Sequence, residues 1–292
     1  MTFPLCIFFS GITVRFHIPH GAELPSSLTD LRCDDTDTPD VEFYIRLLDE
    51  PLRPTGTVLH SENGVTEYLT KQGRLRIHHA LTAENGCQVA CLLRPDEKNT
   101  LYYPASSWHF YSHPLQPLRF LAPEIMLIRR NAFLLHSSVV SLHGKTVLFA
   151  GSACAGKSTQ ASLWQKHLGA EILNGDRCVV MNRNGVFYGG GSPWCGTSGI
   201  HRPEQFPIAG ILLPCKCTEN RLTSLGSAAV PLLLSQTLVN SWDTGFMQTL
   251  LQLYHDMLAE IPVYRLDCRP DSDAAFMAYR TLFGKESRHG TY

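Results

Sequence analysis

From Phe3 to about Pro117 the apolar residues come in short runs broken by turn residues, a period-two pattern that predicts β-strands rather than helices. Met1 to Phe9, Gly11 to His17, Val41 to Leu48 and Arg74 to His79 are such runs. Asp34 to Asp40, acidic and rich in Thr and Pro, reads as a loop, and so does Ser61 to Gly64 with its Asn63-Gly64 pair. Pro104, Pro114, Pro117 and Pro123 then punctuate the chain. They predict a boundary near residue 118, between a β-rich N-terminal domain (1–118) and a second domain (119–292).

Beyond that boundary the pattern becomes α/β. Pro123 to Ala132 predicts a short helix with Ile125, Leu127 and Ile128 on its apolar side. Phe133 to Leu142 predicts a strand, and His143-Gly144 a tight turn into the strand Thr146 to Ala150. A strand entered through a hairpin, not a crossover helix, implies a mixed sheet. Ser158 to Leu168 carries Ala161, Trp164 and Leu168 at helical spacing, with Gly169 as its stop. Glu171 to Leu173 returns as a strand and delivers Asn174-Gly175-Asp176-Arg177. Cys178 to Met181 and Val186 to Tyr188 form a hairpin around Asn184-Gly185. Gly189 to Thr197, too glycine-rich for a regular element, reads as a mobile loop. A strand at Ile208 to Leu213, helices at Ser227 to Val239 and Asp243 to Leu258, a strand at Val263 to Leu266 and a helix at Asp271 to Phe283 complete the chain.

Composition narrows the class without naming a chemistry. The 292 residues are 44% apolar and 17% charged, which describes a soluble globular protein. A net charge of -1 gives no electrostatic reason to expect nucleic acid or an anionic membrane as partner. No run approaches the ~20 apolar residues that cross a bilayer. Met1 to Phe9 lacks a leading Lys or Arg and is interrupted by Pro4, so the ten cysteines are expected as free thiols in a reducing cytoplasm. Cys87-x3-Cys91 and Cys215-x-Cys217 lack the paired C-x2-C spacing of a structural zinc site.

The residues with chemical specificity are Gly151-Ser152-Ala153-Cys154-Ala155-Gly156-Lys157-Ser158-Thr159, a match to the phosphate loop G-x-x-x-x-G-K-[ST]. Gly151 and Gly156 let the backbone turn tightly and approach a ligand. Successive N–H groups then converge on phosphate oxygens at a helix start, where the dipole favours negative charge. Lys157 would reach the outer phosphates and the Ser158 hydroxyl would ligate Mg²⁺. Mg²⁺ needs a hard carboxylate as well. Asp176, after the strand that follows the loop helix, would hold the metal or accept a hydroxyl proton, or else cap its turn. His136, in the strand expected beside the loop strand, would face the terminal phosphate or the substrate, or sit satisfied in the core. Trp194, Gly196 and Thr197 would close over the acceptor or form a surface loop, and His201 and Arg202 would add positive charge nearby. Trp108, His109, Tyr111 and His113 form a binding surface or a half-buried strand.

The segment from His136 through Gly151, Lys157 and Ser158 to Asp176 resembles the catalytic domain of HPr kinase/phosphorylase, in the phosphoenolpyruvate carboxykinase-like group of P-loop proteins. The resemblance, over about 130–285, implies a mixed-sheet P-loop domain using ATP and Mg²⁺. It places His136 at the family's histidine and Asp176 at the second acid of a pair. Gly175 stands where the family has the first acid, the residue given the proton-handling role, which removes a basis for phosphorylase activity. The family's downstream HPr-gripping loop is absent, and Ser192 to Thr197 is similar to shorter HPr-kinase-like proteins, some encoded with peptide-modifying enzymes. The resemblance implies a kinase acting on a Ser- or Thr-type hydroxyl of a peptide, protein or small molecule; the family's hexamers make a homo-oligomer possible. Gly175 also admits a nucleotide-binding regulatory protein without transfer. Carboxykinase chemistry would need further metal ligands and an arginine set that residues 1–118 do not show.

Overall fold

The computed structural model describes residues 2–20, 26–35, 38–79, 88–105 and 120–284. The chain divides into two compact units, Met1–Pro123 and Glu124–Tyr292. The expected boundary near residue 118 lies outside the described residues, as does the Trp108, His109, Tyr111 and His113 cluster.

The first unit is built on a mixed sheet. Its strands are β1 Thr2–Phe9, β2 Ile12–Pro19, β3 Val41–Leu48, β4 Thr57–Glu62, β5 Val65–Thr70, β6 Gly73–His79, β7 Gln88–Leu93 and β8 Lys98–Pro104. They lie side by side in the order β1-β2-β3-β8-β7-β6-β5-β4. The β2–β3 and β3–β8 pairs are parallel and the others antiparallel. Alternation makes one face of β2 a core face, since Ile12, Val14, Phe16 and Ile18 are buried while the residues between them are not. Asn63 and Gly64 join β4 to β5 at φ 51° and 75°, both left-handed, as a two-residue hairpin turn requires.

The second unit is an α/β layer structure. Its strands are β9 Ala132–Leu142, β10 Lys145–Ala150, β11 Glu171–Asn174, β12 Arg177–Arg183, β13 Val186–Gly190, β14 Gln205–Lys216, β15 Arg221–Ser224 and β16 Val263–Cys268. Its helices are α1 Pro123–Ile128, α2 Lys157–Leu168, α3 Ala229–Leu234, α4 Thr244–Glu260 and α5 Ser272–Phe283. The sheet order is β10-β9-β12-β13-β14-β16-β15, with β11 also on β9 and β10 also on β14. β9 and β10 form the expected hairpin, turned by His143 and Gly144 at φ 51° and 71°, and β10 runs parallel to β14. The sheet is therefore mixed.

Both faces of this sheet are covered. Val147 and Phe149 point to one side and join Ala161 and Trp164 of α2 and Ala274, Ala275 and Ala278 of α5. Leu148 and Ala150 point to the other and join Phe246, Leu250, Tyr254 and Met257 of α4. Asp243 and Asp271 cap α4 and α5, accepting from Phe246 N at 3.0 Å and Ala274 N at 3.1 Å.

The helix expected over Pro123 to Ala132 stops at Ile128, with Ala132 already in β9, and Ser61 and Glu62 of the loop expected over Ser61 to Gly64 belong to β4; two expected elements differ more. The helix expected over Ser227 to Val239 is a 3₁₀ turn, Gly226–Ala228, followed by α3, which ends at Leu234. The next residues leave helical geometry because their backbone pairs with β9: His136 N donates to Gln236 O at 2.7 Å and Leu238 N to Leu134 O at 3.1 Å. The mobile loop expected over Gly189 to Thr197 is instead packed structure: Gly189 and Gly190 belong to β13, and Gly191, Ser192 and Cys195 are buried. A Cβ on Gly191 would overlap the Arg202 carbonyl, so its glycine serves close approach rather than motion.

Candidate functional site

The site is assembled at the middle of β9, which lies between β10 and β12 in the sheet. On one edge β9 pairs first with β12, His136 opposite Arg177, and then with β11; on the other edge its second half pairs with β10, Ser137 opposite Ala150. The start of the loop after β10 and the start of β12 therefore converge on His136. Ser137 N donates to Asp176 O at 3.0 Å and Ser138 Oγ to Gly175 O at 3.0 Å, tying the turn before β12 to β9.

The glycine loop leaves β10 at Gly151, with φ 152°, and enters α2 through Gly156, with φ 104°. Both values lie where a side chain is strained, and Cys154 between them is also left-handed at φ 63°. No side chain caps the start of α2, so its first amides are left for another acceptor. Ser152, Ala153, Cys154, Ser158 and Thr159 are exposed. Lys157 is buried and turns back on the loop, its Nζ donating to Gly151 O at 2.8 Å and Ser152 O at 2.9 Å. Burial lowers the Lys157 ammonium from its usual value, an effect the Asp176 carboxylate opposes without overcoming it.

Opposite the loop, His136 Nε2 lies 3.2 Å from Asp176 Oδ1 and Arg177 Nε 3.7 Å from Asp176 Oδ2, all three side chains partly exposed. Asp176 is held below the usual carboxylate range, chiefly by the hydrogen bond from His136; burial works against this, and Arg177 and Lys157 add to it. The backbone here is fixed by Asn174, whose Oδ1 accepts from Asp176 N at 2.8 Å and Arg177 N at 2.9 Å. Its Nδ2 donates to Ser192 O at 2.8 Å, and Ser192 Oγ donates to Arg177 O at 2.7 Å. Asn174 and Ser192 are fully buried, so this network is satisfied by protein alone.

The segment after β13 folds onto the acid. Gly196, at φ 57°, lies so near Asp176 that a Cβ there would come 2.9 Å from Asp176 Cγ. A Cβ on Gly175 would overlap Ser198 Oγ. Trp194 is half-buried, its N–H donating to Ser192 Oγ at 3.2 Å, and Thr197 is exposed. Cys195 is buried, and that burial raises its thiol, with Asp176 contributing in the same direction.

Of the residues singled out from sequence, His136, Lys157, Asp176 and Gly196 come together, with the exposed Ser158 next to Lys157 on α2. His201 and Arg202 are placed differently. His201 Nδ1 donates to Gly199 O at 2.6 Å, and Arg202 pairs with Glu171 at the exposed surface while its N–H donates to Leu173 O. Asn174, Arg177 and Ser192 were missed by the sequence reading. The available signal was Asn174-Gly175-Asp176-Arg177 itself, since Asn before such a turn accepts from the backbone two and three residues on.

No family model matches this chain, and no curated protein matches it. Among solved structures it is similar to the Hpr(Ser) kinase/phosphatase from Coxiella burnetii, at 11% identity and a TM-score of 0.29, over 53% of this chain and 95% of that one. At that score the likeness carries no assignment of fold or activity.

Proposed function

We propose that the protein is an ATP- and Mg²⁺-dependent kinase that transfers the γ-phosphate to a Ser- or Thr-type hydroxyl of a peptide, protein or small molecule. The observation that supports this reading is that the end of β10 and the start of β12 meet neighbouring residues of β9 from its two edges, which sets a lysine-bearing glycine loop beside a hydrogen-bonded carboxylate–imidazole pair.

The residues fit a magnesium triphosphate. The loop turns through Gly151 and Gly156 at angles that leave its backbone open, α2 begins without a side-chain cap, and Lys157 is hydrogen-bonded to loop carbonyls that a phosphate would replace. Loop and α2 amides with Lys157 would hold the phosphates, and Ser158 with Asp176 would hold the metal. Bound Mg²⁺ supplies neutralisation of charge on the transferring group.

The chain's own groups do the rest. Asp176, held below the ordinary carboxylate range, is by itself a good cation partner and a poor proton acceptor. Its hydrogen bond orients the His136 ring, so the hydroxyl proton goes to the pair as a unit. Arg177 adds a second cation beside Asp176.

One observation favours a second reading, a nucleotide-dependent regulatory protein without transfer: Ser198 fills the space a residue larger than glycine would need at position 175. Incubation with γ-labelled ATP, Mg²⁺ and a cell lysate as acceptor separates the two. Label transfer that is lost in Lys157→Ala and Asp176→Ala supports the kinase. Transfer unchanged in both variants refutes these assignments, and nucleotide binding without any transfer favours the regulatory reading.

A further inference from the structure

A second concave site lies in the first unit. A cavity of about 720 Å³ opens where the chain from Leu52 to Thr57 passes the turn between β5 and β6. Its floor is apolar, with Leu75 and Leu92 buried and Tyr102 beside them. Its rim is cationic: Arg53 and Lys71 are exposed, neither has a carboxylate partner among the described residues, and no described Asp or Glu lines the cavity.

Thr57, at the mouth of the cavity, is also the first residue of β4. β4 is an outermost strand, and among the described residues its ladder partner is β5 alone. All of it except His60 is exposed, including Val58 at 54%, and Leu69 opposite Thr57 on β5 is exposed at 55%. An open edge of this kind presents unpaired backbone donors and acceptors to solvent, and here apolar side chains stand on it unshielded.

We infer that this edge and cavity together bind an extended acidic peptide, which adds as a strand beside β4 and sets a carboxylate against Arg53 and Lys71. The backbone edge selects a peptide over a small anion, because main-chain hydrogen bonds along β4 need an amide ladder to answer them. The rim selects the sign of charge: two unpaired cations repel a basic segment and attract an acidic one.

The test is fluorescence anisotropy on the full chain, with a labelled peptide of about eight residues alternating Glu and Val. The comparison probes are the same peptide N-methylated at alternate residues and a peptide with Lys in place of Glu. Saturable binding of the Glu–Val peptide is expected, weakened about tenfold or more by N-methylation, by the Lys exchange and by Arg53→Glu/Lys71→Glu in the protein. Failure of the Glu–Val peptide to saturate, or binding that N-methylation or the double substitution leaves unchanged, overturns the inference. Should the double variant unfold at lower denaturant than the parent, the N-methylated probe on the parent protein decides alone.

Discussion

Ser198 occupies the space into which a side chain at Gly175 would project, its own Cβ only 2.6 Å from where that carbon would stand. The glycine is thus required by packing as well as tolerated by the turn. Gly175→Asp is expected to cost about 1–3 kcal/mol of folding stability by overpacking. Gly175→Asp/Ser198→Gly should recover much of that loss. Denaturant unfolding of both variants checks this, and a Gly175→Asp protein as stable as the parent would contradict the packing described.

Lys157 is the sole cation bonded to the loop backbone carbonyls among the described residues. Lys157→Ala is expected to lower phosphotransfer by about 100-fold or more and to weaken nucleotide binding measured by calorimetry. The fold should persist, because burial already disfavours the charged amine and its removal relieves that cost. Calorimetry of the parent protein that detects neither ATP nor GTP in the presence of magnesium would remove the basis of the proposed function.

His136 and Asp176 are expected to act as one group. Transfer should fall in His136→Ala and in Asp176→Asn, and the double variant should be little worse than the weaker single. Additive losses across this cycle would mean that the two side chains work independently.

The depressed titration of Asp176 has a consequence for acid stability. Its folded value lies below its unfolded value, so the stabilisation it provides is present above the ordinary carboxylate range near pH ~4 and is lost as pH falls through the lower folded value. Asp176→Asn removes this component, so stability of the variant should fall less steeply than the parent's over that acidic interval. Equal slopes in a series of denaturant curves would refute the assignment.

Thiol reactivity separates the loop from the core. Cys154 is exposed within the glycine loop, whereas Cys178 is buried, its thiol pushed up to about 12 by that burial. A maleimide at neutral pH should label Cys154 in the native protein and Cys178 only after unfolding, as read by peptide mass mapping. Magnesium ATP should slow labelling of Cys154 about tenfold if nucleotide occupies the loop.

Much of the second unit was legible because its turns carry their own chemistry. His143-Gly144 and Asn184-Gly185 adopt the left-handed pairs their sequences suggest, and Gly169 ends α2 at φ 71°. The loop Gly151 to Thr159 was legible because its glycines are needed where φ is positive. The segment Gly189 to Thr197 was misread for the opposite reason: glycine content signals either freedom or close approach, and only the neighbours Arg202 and Asp176 decide between them. α3 was overextended because helical propensity near Leu234 is overridden by backbone pairing of Gln236 and Leu238 with β9, a long-range event that local periodicity does not encode. Arg177 was passed over because its importance comes from lying across from His136, a matter of register.

That register also limits how this protein can change. Because β10 and β12 meet neighbouring residues of β9 from its two edges, a slip by a single position would displace the cation-bearing turn and the imidazole at the same moment and carry every core side chain of β9 to the opposite face of a sheet packed on both sides. New acceptors or altered rates are therefore reachable by exchanging side chains on a fixed lattice, or by remodelling the stretch from Ser192 to Gly199, while insertions or deletions within Ala132–Leu142 are closed to it.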